Sequence, residues 1–149
     1  MIFFTRELYD GMQVYSPRET RAEREWAKRA EIYQRYREVI SPLLPVAVAR
    51  LGREGLHDAI VMSARQAARS LFLVMDTLNA LTKLRGRRPV RLRFTGVKRR
   101  VNTKRLVGAW WVAEEVHLSS RARYALHVLF HEGELEFEAD GLVIERIKV

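Results

Sequence analysis

The sequence predicts an α+β domain: two or three helices from the first 52 residues, packed on a mainly antiparallel sheet or partly open barrel of about seven strands. Three observations predict it. Apolar residues recur at three- and four-residue steps between Pro17 and Ile40. From Trp110 onward, apolar and polar residues alternate with period two. The dipeptides Glu132-Gly133 and Asp140-Gly141 divide that second stretch as turns do. One domain over 1–149 is expected, helical over 1–52 and β-rich over 56–149, since a chain this long removes roughly two-thirds of its unfolded surface from water.

The helices come first. Thr5 is an N-cap for a short helix over Arg6–Gln13, its hydroxyl accepting from a first-turn amide. Ser16, Pro17 and Glu19 form a capping-box arrangement for a second helix, uninterrupted by Gly or Pro to Val39. Trp26, Ala30, Tyr33, Tyr36 and Ile40 make its core-facing stripe, with Arg21, Arg24, Lys28 and Arg35 largely off it. SPLLP at 41–45 breaks that helix. A third runs over Val46–Leu51, closed by Gly52.

Residues 56–84 read two ways. Ile60, Ala64, Ala67, Leu71, Val74, Leu78 and Leu81 have helical spacing, and periodicity alone predicts a helix. Ile60–Met62 and the run SLFLVMD at 70–76 also have the composition of strands.

Beyond Pro89, Leu92 and Phe94 alternate with Arg91, Arg93 and Thr95. In AWWVAEEVHL at 109–118, Trp110, Val112, Val116 and Leu118 share a face with Glu114, while Trp111, Ala113, Glu115 and His117 share the other. Tyr124, Leu126, Val128 and Phe130 then alternate with Ala125, His127, Leu129 and His131, and Leu135, Phe137 and Ala139 with Glu134, Glu136, Glu138 and Asp140. Matching the apolar faces sets Val116 opposite Leu126, Glu115 opposite His127 and Trp111 opposite His131. A two-residue loop at Glu132-Gly133 then sets Val128 opposite Phe137 and His127 opposite Glu138. Trp110 is expected in the core and Trp111 exposed or under a helix. A two-residue turn at Asp140-Gly141 would oppose Glu136 and Glu145, so that last hairpin is expected to be longer.

Glu115, His117, His127 and His131 are therefore the candidate metal or acid–base residues. Side chains on adjacent strands stand about 5 Å apart, loose for metal bonds near 2 Å, so the expectation is a solvated face with matched charges, and no metal or cofactor. Glu114 does not fit its apolar face. An arginine partner, a sheet edge or a bulge at Glu114-Glu115 would account for it.

Net charge is +9, unevenly spread. Residues 77–113 hold 11 basic groups and no acid, and residues 114–149 hold 8 acidic groups against 4 basic. The basic middle and acidic end can attract each other within one chain or between copies, so a protein partner or self-association is expected. Within 83–105, Arg85, Arg87, Arg88, Arg91, Arg93, Lys98, Arg99, Arg100, Lys104 and Arg105 are the candidate phosphate contacts of a nucleic-acid reading. Only Phe94 offers a stacking ring there, and it alternates with Leu92 as a core residue does.

FTRELYDGMQ at 4–13, GLHDAIV at 55–61, VGAWWVAEEVHL at 107–118 and LHVLFHEGELEFEADGLVIERI at 126–147 resemble an uncharacterised bacterial family catalogued as domain of unknown function 4085. The resemblance implies no activity. It does imply a hairpin after LHD, with strands His57–Ala64 and Ser70–Asp76 joined through Arg65–Arg69, in place of the helix.

There is no cysteine, which excludes disulfides and thiol chemistry. No glycine-rich phosphate loop or nucleophile motif occurs, and His127-x-x-x-His131 on a strand only places both rings on one face. No secretory signal is read at 1–15, and no apolar run approaches the roughly 20 residues of a membrane span. The expectation is a cytoplasmic, non-enzymatic binding or regulatory module. Nucleic-acid binding through 83–105 and a metal-dependent hydrolase on the His/Glu face are the alternatives.

Overall fold

The computed structural model describes residues 1–13 and 17–148. Three helices precede seven strands, in two antiparallel sheets that do not close into a barrel. α1 spans Arg6–Met12, with the Thr5 hydroxyl accepting from the Leu8 amide at 3.4 Å. α2 spans Pro17–Ile40; the Ser16 capping arrangement lies outside the described residues. Tyr33 and Ile40 are buried and Trp26, Ala30 and Tyr36 half-buried, so the stripe is the packed face. A 3-10 turn at Ser41–Leu43 leads to α3, Val46–Glu54. Gly52 does not end α3 as expected. It is buried inside the helix, its carbonyl accepting from the Arg37 guanidinium. Gly55, at φ +63°, ends it, donating its amide to the Leu51 carbonyl at 2.7 Å.

The strands are β1 Ile60–Ala67, β2 Ser70–Thr77, β3 Gly86–Thr95, β4 Trp111–His117, β5 Tyr124–Phe130, β6 Glu134–Ala139 and β7 Gly141–Arg146. One sheet has the order β1-β2-β3-β7 and the other β4-β5-β6. The helix that periodicity predicts over 56–84 is not formed. β1 and β2 make the hairpin, longer than expected, with Ala67 paired to Ser70 and only Ala68-Arg69 in the turn. Leu71, Leu73, Met75 and Thr77 of β2 are buried, while Phe72 and Val74 half-bury the other face. Both faces are apolar, which hides the period of two.

The core lies between the sheets. Phe94 meets Phe137 edge-on at 4.9 Å, joining β3 to β6. Each fully buried side chain of this kind contributes roughly 1.5–3 kcal/mol relative to exposure. Backbone links join the sheets at each end. Trp110 bridges to Ile60, flanked by the Asp58 and Val61 amides donating to the Trp111 and Ala109 carbonyls. Further on, the chain crosses at Asp140 from β6 in one sheet to β7 in the other. An added Cβ on Gly141 would lie 2.6 Å from the Thr95 hydroxyl, which would have to turn away to admit it. α3 packs on β4 of one sheet and β7 of the other.

Three strand-level expectations are corrected. Ala113–His117 pair with β5 in the expected register, but a bulge at Val112 sets Trp111 opposite Phe130 rather than His131. Trp111 is fully buried and Trp110 is 53% exposed, the reverse of the expected assignment. β5 and β6 are offset by two residues, so Val128 opposes Leu135 and His127 opposes Glu136. A slip of two preserves the faces. Finally, β6 and β7 form no hairpin at all. Glu145 lies opposite Arg91, whose guanidinium approaches it to 2.8 Å.

Candidate functional site

β4 carries a titratable cluster on each face. On the outer face, the expected solvated row is corrected: Glu115 is 0% exposed. The segment before α1 and the α2 stripe cover it. One carboxylate oxygen of Glu115 accepts from the amides of Phe3 and Phe4, both at 2.7 Å. The other accepts from Ile2 N–H and from His117 Nε2, both at 2.9 Å. Burial alone would raise this carboxyl. The His117 imidazole and the amides of Ile2, Phe4 and Phe3 outweigh burial and hold it at about 2.

His117 Nδ1 lies 3.2 Å from the Tyr36 hydroxyl, and its ring stacks on Phe3. The His127 ring centre is 5.3 Å from that of His117. His127 Nε2 is 3.3 Å from Glu136, and its Nδ1 is buried without a hydrogen-bond partner. Burial lowers the His127 pKa, against the pull of Glu136. Glu115, His117 and His127 each place a donor atom within 4.8 Å of the others'. His131 does not join them. Its Nδ1 accepts from the Trp110 amide at 2.9 Å.

On the inner side, Glu114 borders a cleft of about 290 Å³ between α2, α3 and β4. Phe4, Trp26, Ala30 and Tyr33 supply apolar wall, with Gln34, Arg37 and His57 among the polar lining. The Tyr33 hydroxyl accepts from the Val116 amide at 2.7 Å, tying α2 to β4. The Glu114 carboxylate accepts from Trp111 Nε1 at 2.6 Å. Burial pushes the carboxyl up to about 7, opposed by the Trp111 and Leu56 N–H groups and by the positive charge of Arg37. An added Cβ on Gly55 would lie 3.1 Å from this carboxylate. His57 Nδ1–H donates to the Val112 carbonyl at 2.6 Å, across the bulge. The sequence flags Glu114 as unexplained. Its support from Gly55, Leu56 and Trp111 comes through the tertiary fold and the bulge.

The basic segment is dispersed and partly neutralised. Arg91 pairs with Glu145, Lys98 with Asp140 at 2.9 Å, and Arg99 donates to the Glu136 carbonyl. Arg85 donates to the Leu78 carbonyl. Arg87, Arg88, Arg93, Arg100, Lys104 and Arg105 are exposed. Lys98, Arg99 and Arg100 line a notch of about 430 Å³ with Gln66 and Arg69. Phe94 is wholly buried and cannot stack on a base. Phe72, with the Arg65 guanidinium 4.8 Å over its ring, is the aromatic on the outer face of that sheet.

The model of the family described as Protein of unknown function (DUF4085) matches residues 5–139. The chain belongs to this family. Neither a curated protein nor a solved structure matches it. In this DUF4085 chain the segments that carry the resemblance converge on β4. The 4–13 segment begins at the Glu115 lid, and its Arg6 guanidinium donates to the carbonyls of Phe130, His131 and Gly133. The 55–61 segment holds Glu114 and pairs Asp58 and Ala59 with Trp111. No helix among the described residues of the DUF4085 chain is long and apolar enough to cross a membrane.

Proposed function

We propose that the protein is a non-enzymatic binding module whose partner enters the cleft beside Glu114. The observation that carries this reading is a half-buried carboxyl, raised to about 7, in an aromatic-walled cleft of about 290 Å³. A strongly perturbed group in a concavity lined by apolar side chains and a few polar groups has the make-up of a binding site. Apolar walls with one acceptor on the floor suit an apolar side chain or segment that ends in a cationic or N–H donor. Approach of a cation ionises Glu114 and adds a charge-assisted hydrogen bond. The non-enzymatic part is supported by the lining itself. Among the described residues around the cleft there is no Ser, Thr, Cys or Lys nucleophile, and His57 and Arg37 are engaged by backbone carbonyls.

The test fills the cleft. Ala30→Trp adds bulk to its wall without touching Glu114. Proteins retained from the native cell extract by the wild-type chain are expected to be lost with the folded Ala30→Trp variant. Retention of the same set by both would remove the reading.

A second reading, nucleic-acid binding, is favoured by one observation: Arg93 and the Arg65–Phe72 stack lie on the outer face of the four-stranded sheet. Phosphate contacts there require affinity for arbitrary DNA or RNA to fall steeply with salt. No binding at low salt would end that reading.

A further inference from the structure

We propose that Glu115, His117 and His127 bind a divalent transition-metal ion beneath the N-terminal segment, with zinc the best match to the donor set. This goes beyond the cleft reading: none of the three donors lines the cleft, although Phe4 serves both, as a cleft wall and as an amide donor to Glu115.

The donors are two imidazoles and one carboxylate, each with an atom within 4.8 Å of the others'. Imidazole and carboxylate together suit zinc and its neighbours in the first transition row. Each ring is also held from its far side, as ligating histidines are. His117 presents Nε2 to Glu115 while Nδ1 meets the Tyr36 hydroxyl at 3.2 Å. His127 has Nε2 at 3.3 Å from Glu136, and its Nδ1 is buried with no hydrogen-bond partner. A buried ring nitrogen without a partner is uncommon and asks for a reason. A lone pair directed at an ion would be one.

Glu115 can serve both the lid and the metal. Its Oε1 takes the Phe3 and Phe4 amides, which anchor the lid, while Oε2 meets His117 and the Ile2 amide. The ion would take the place of the hydrogen bond between Oε2 and His117 Nε2, with the imidazole keeping its one N–H on Nδ1, beside the Tyr36 hydroxyl. Donors about 2.1 Å from a common zinc stand roughly 3.4 Å apart. The His117–Glu115 separation is 2.9 Å, and the widest gap closes by a little over 1 Å through ring rotation. Three protein ligands leave a fourth position for water.

The experiment titrates metal-free protein with Zn²⁺, and with Co²⁺ for its visible spectrum. We expect one ion per chain, visible bands typical of low-coordinate cobalt, and a rise in the melting temperature of the wild-type chain with zinc. His127→Ala is expected to abolish uptake, and Glu136→Gln to weaken it about 10–100-fold through the far-side contact. His131→Ala lies outside the cluster and is expected to bind as wild type. His127→Gln, with circular dichroism on every variant, separates lost ligation from lost folding. No stoichiometric uptake by the folded wild-type chain overturns the proposal. So does uptake unchanged in folded His127→Ala or His127→Gln.

Discussion

On the outer face of β4, Glu115 collects three backbone N–H groups and an imidazole. One residue earlier, on the inner face, Glu114 collects an indole N–H and the Leu56 N–H, with Arg37 nearby. Burial raises both carboxyls; four hydrogen-bond partners outweigh it at Glu115, while two N–H groups and the Arg37 charge do not at Glu114. The first ends at about 2 and the second at about 7. Adjacent residues on a strand share nearly everything except the face they point to. The comparison shows that the face, through what packs on it, decides which carboxylate is locked ionised and which is poised to change charge at neutral pH.

The largest expected effect tests the bulge that sorts these faces. Trp111→Ala is expected to cost about 3–5 kcal/mol in denaturant unfolding, as a deleted core aromatic does, and it also strips Glu114 of its indole donor. Trp110→Ala is expected to change stability by no more than about 0.5 kcal/mol. Equal effects would mean that Val112 does not re-aim the pair.

Next comes the anchored carboxylate. Glu115→Ala leaves three amides without their acceptor and is expected to cost about 3 kcal/mol, part of it recovered as the released segment meets water. It should also expose the 2–4 amides to hydrogen exchange, which is the direct measurement. The Glu115 pKa is depressed, so its stabilisation is present above the ordinary carboxylate range. It is lost as pH falls from about 4.5 toward about 2.

The smallest effect, and the most diagnostic, belongs to Glu114. Its folded pKa of about 7 lies above its ordinary value of 4.5, so the folded state holds an extra proton between the two. The stabilisation is complete below about 4.5 and is lost as pH rises through about 7. Glu114→Gln removes that slope and is expected to be more stable than wild type at pH 8 by on the order of 2 kcal/mol, converging with it near pH 5. Parallel pH profiles for the two proteins would show that Glu114 is already ionised.

Much of the fold was legible. The Thr5 cap, the stripe of α2 and the alternation from Ala113 to Ala139 identify their elements, because each rests on local chemistry. What was hidden was tertiary. The WWVAEEVH pattern is nearly symmetric between its faces, so one inserted residue at Val112 exchanges the tryptophans without a signature. Phe72 and Val74 disguise β2 as an unalternating run. The histidine row looked wet because its cover, Ile2–Phe4 and the α2 tyrosines, lies more than 75 residues away in sequence. Glu115, His117 and His127 were legible as candidates, but not their enclosure. Of the Glu114 cleft, the sequence offered only an apolar face with one carboxylate out of place.

The crossing at Asp140 has a mechanical consequence. Residues 134–139 complete one sheet and 141–146 the edge of the other, without a slack linker between them. A clip at that corner would leave β6 tied to β5 through its turn, and β7 held to the molecule by its pairing with β3 and its packing on α3. Each sheet edge is thus placed by the chain that builds the other.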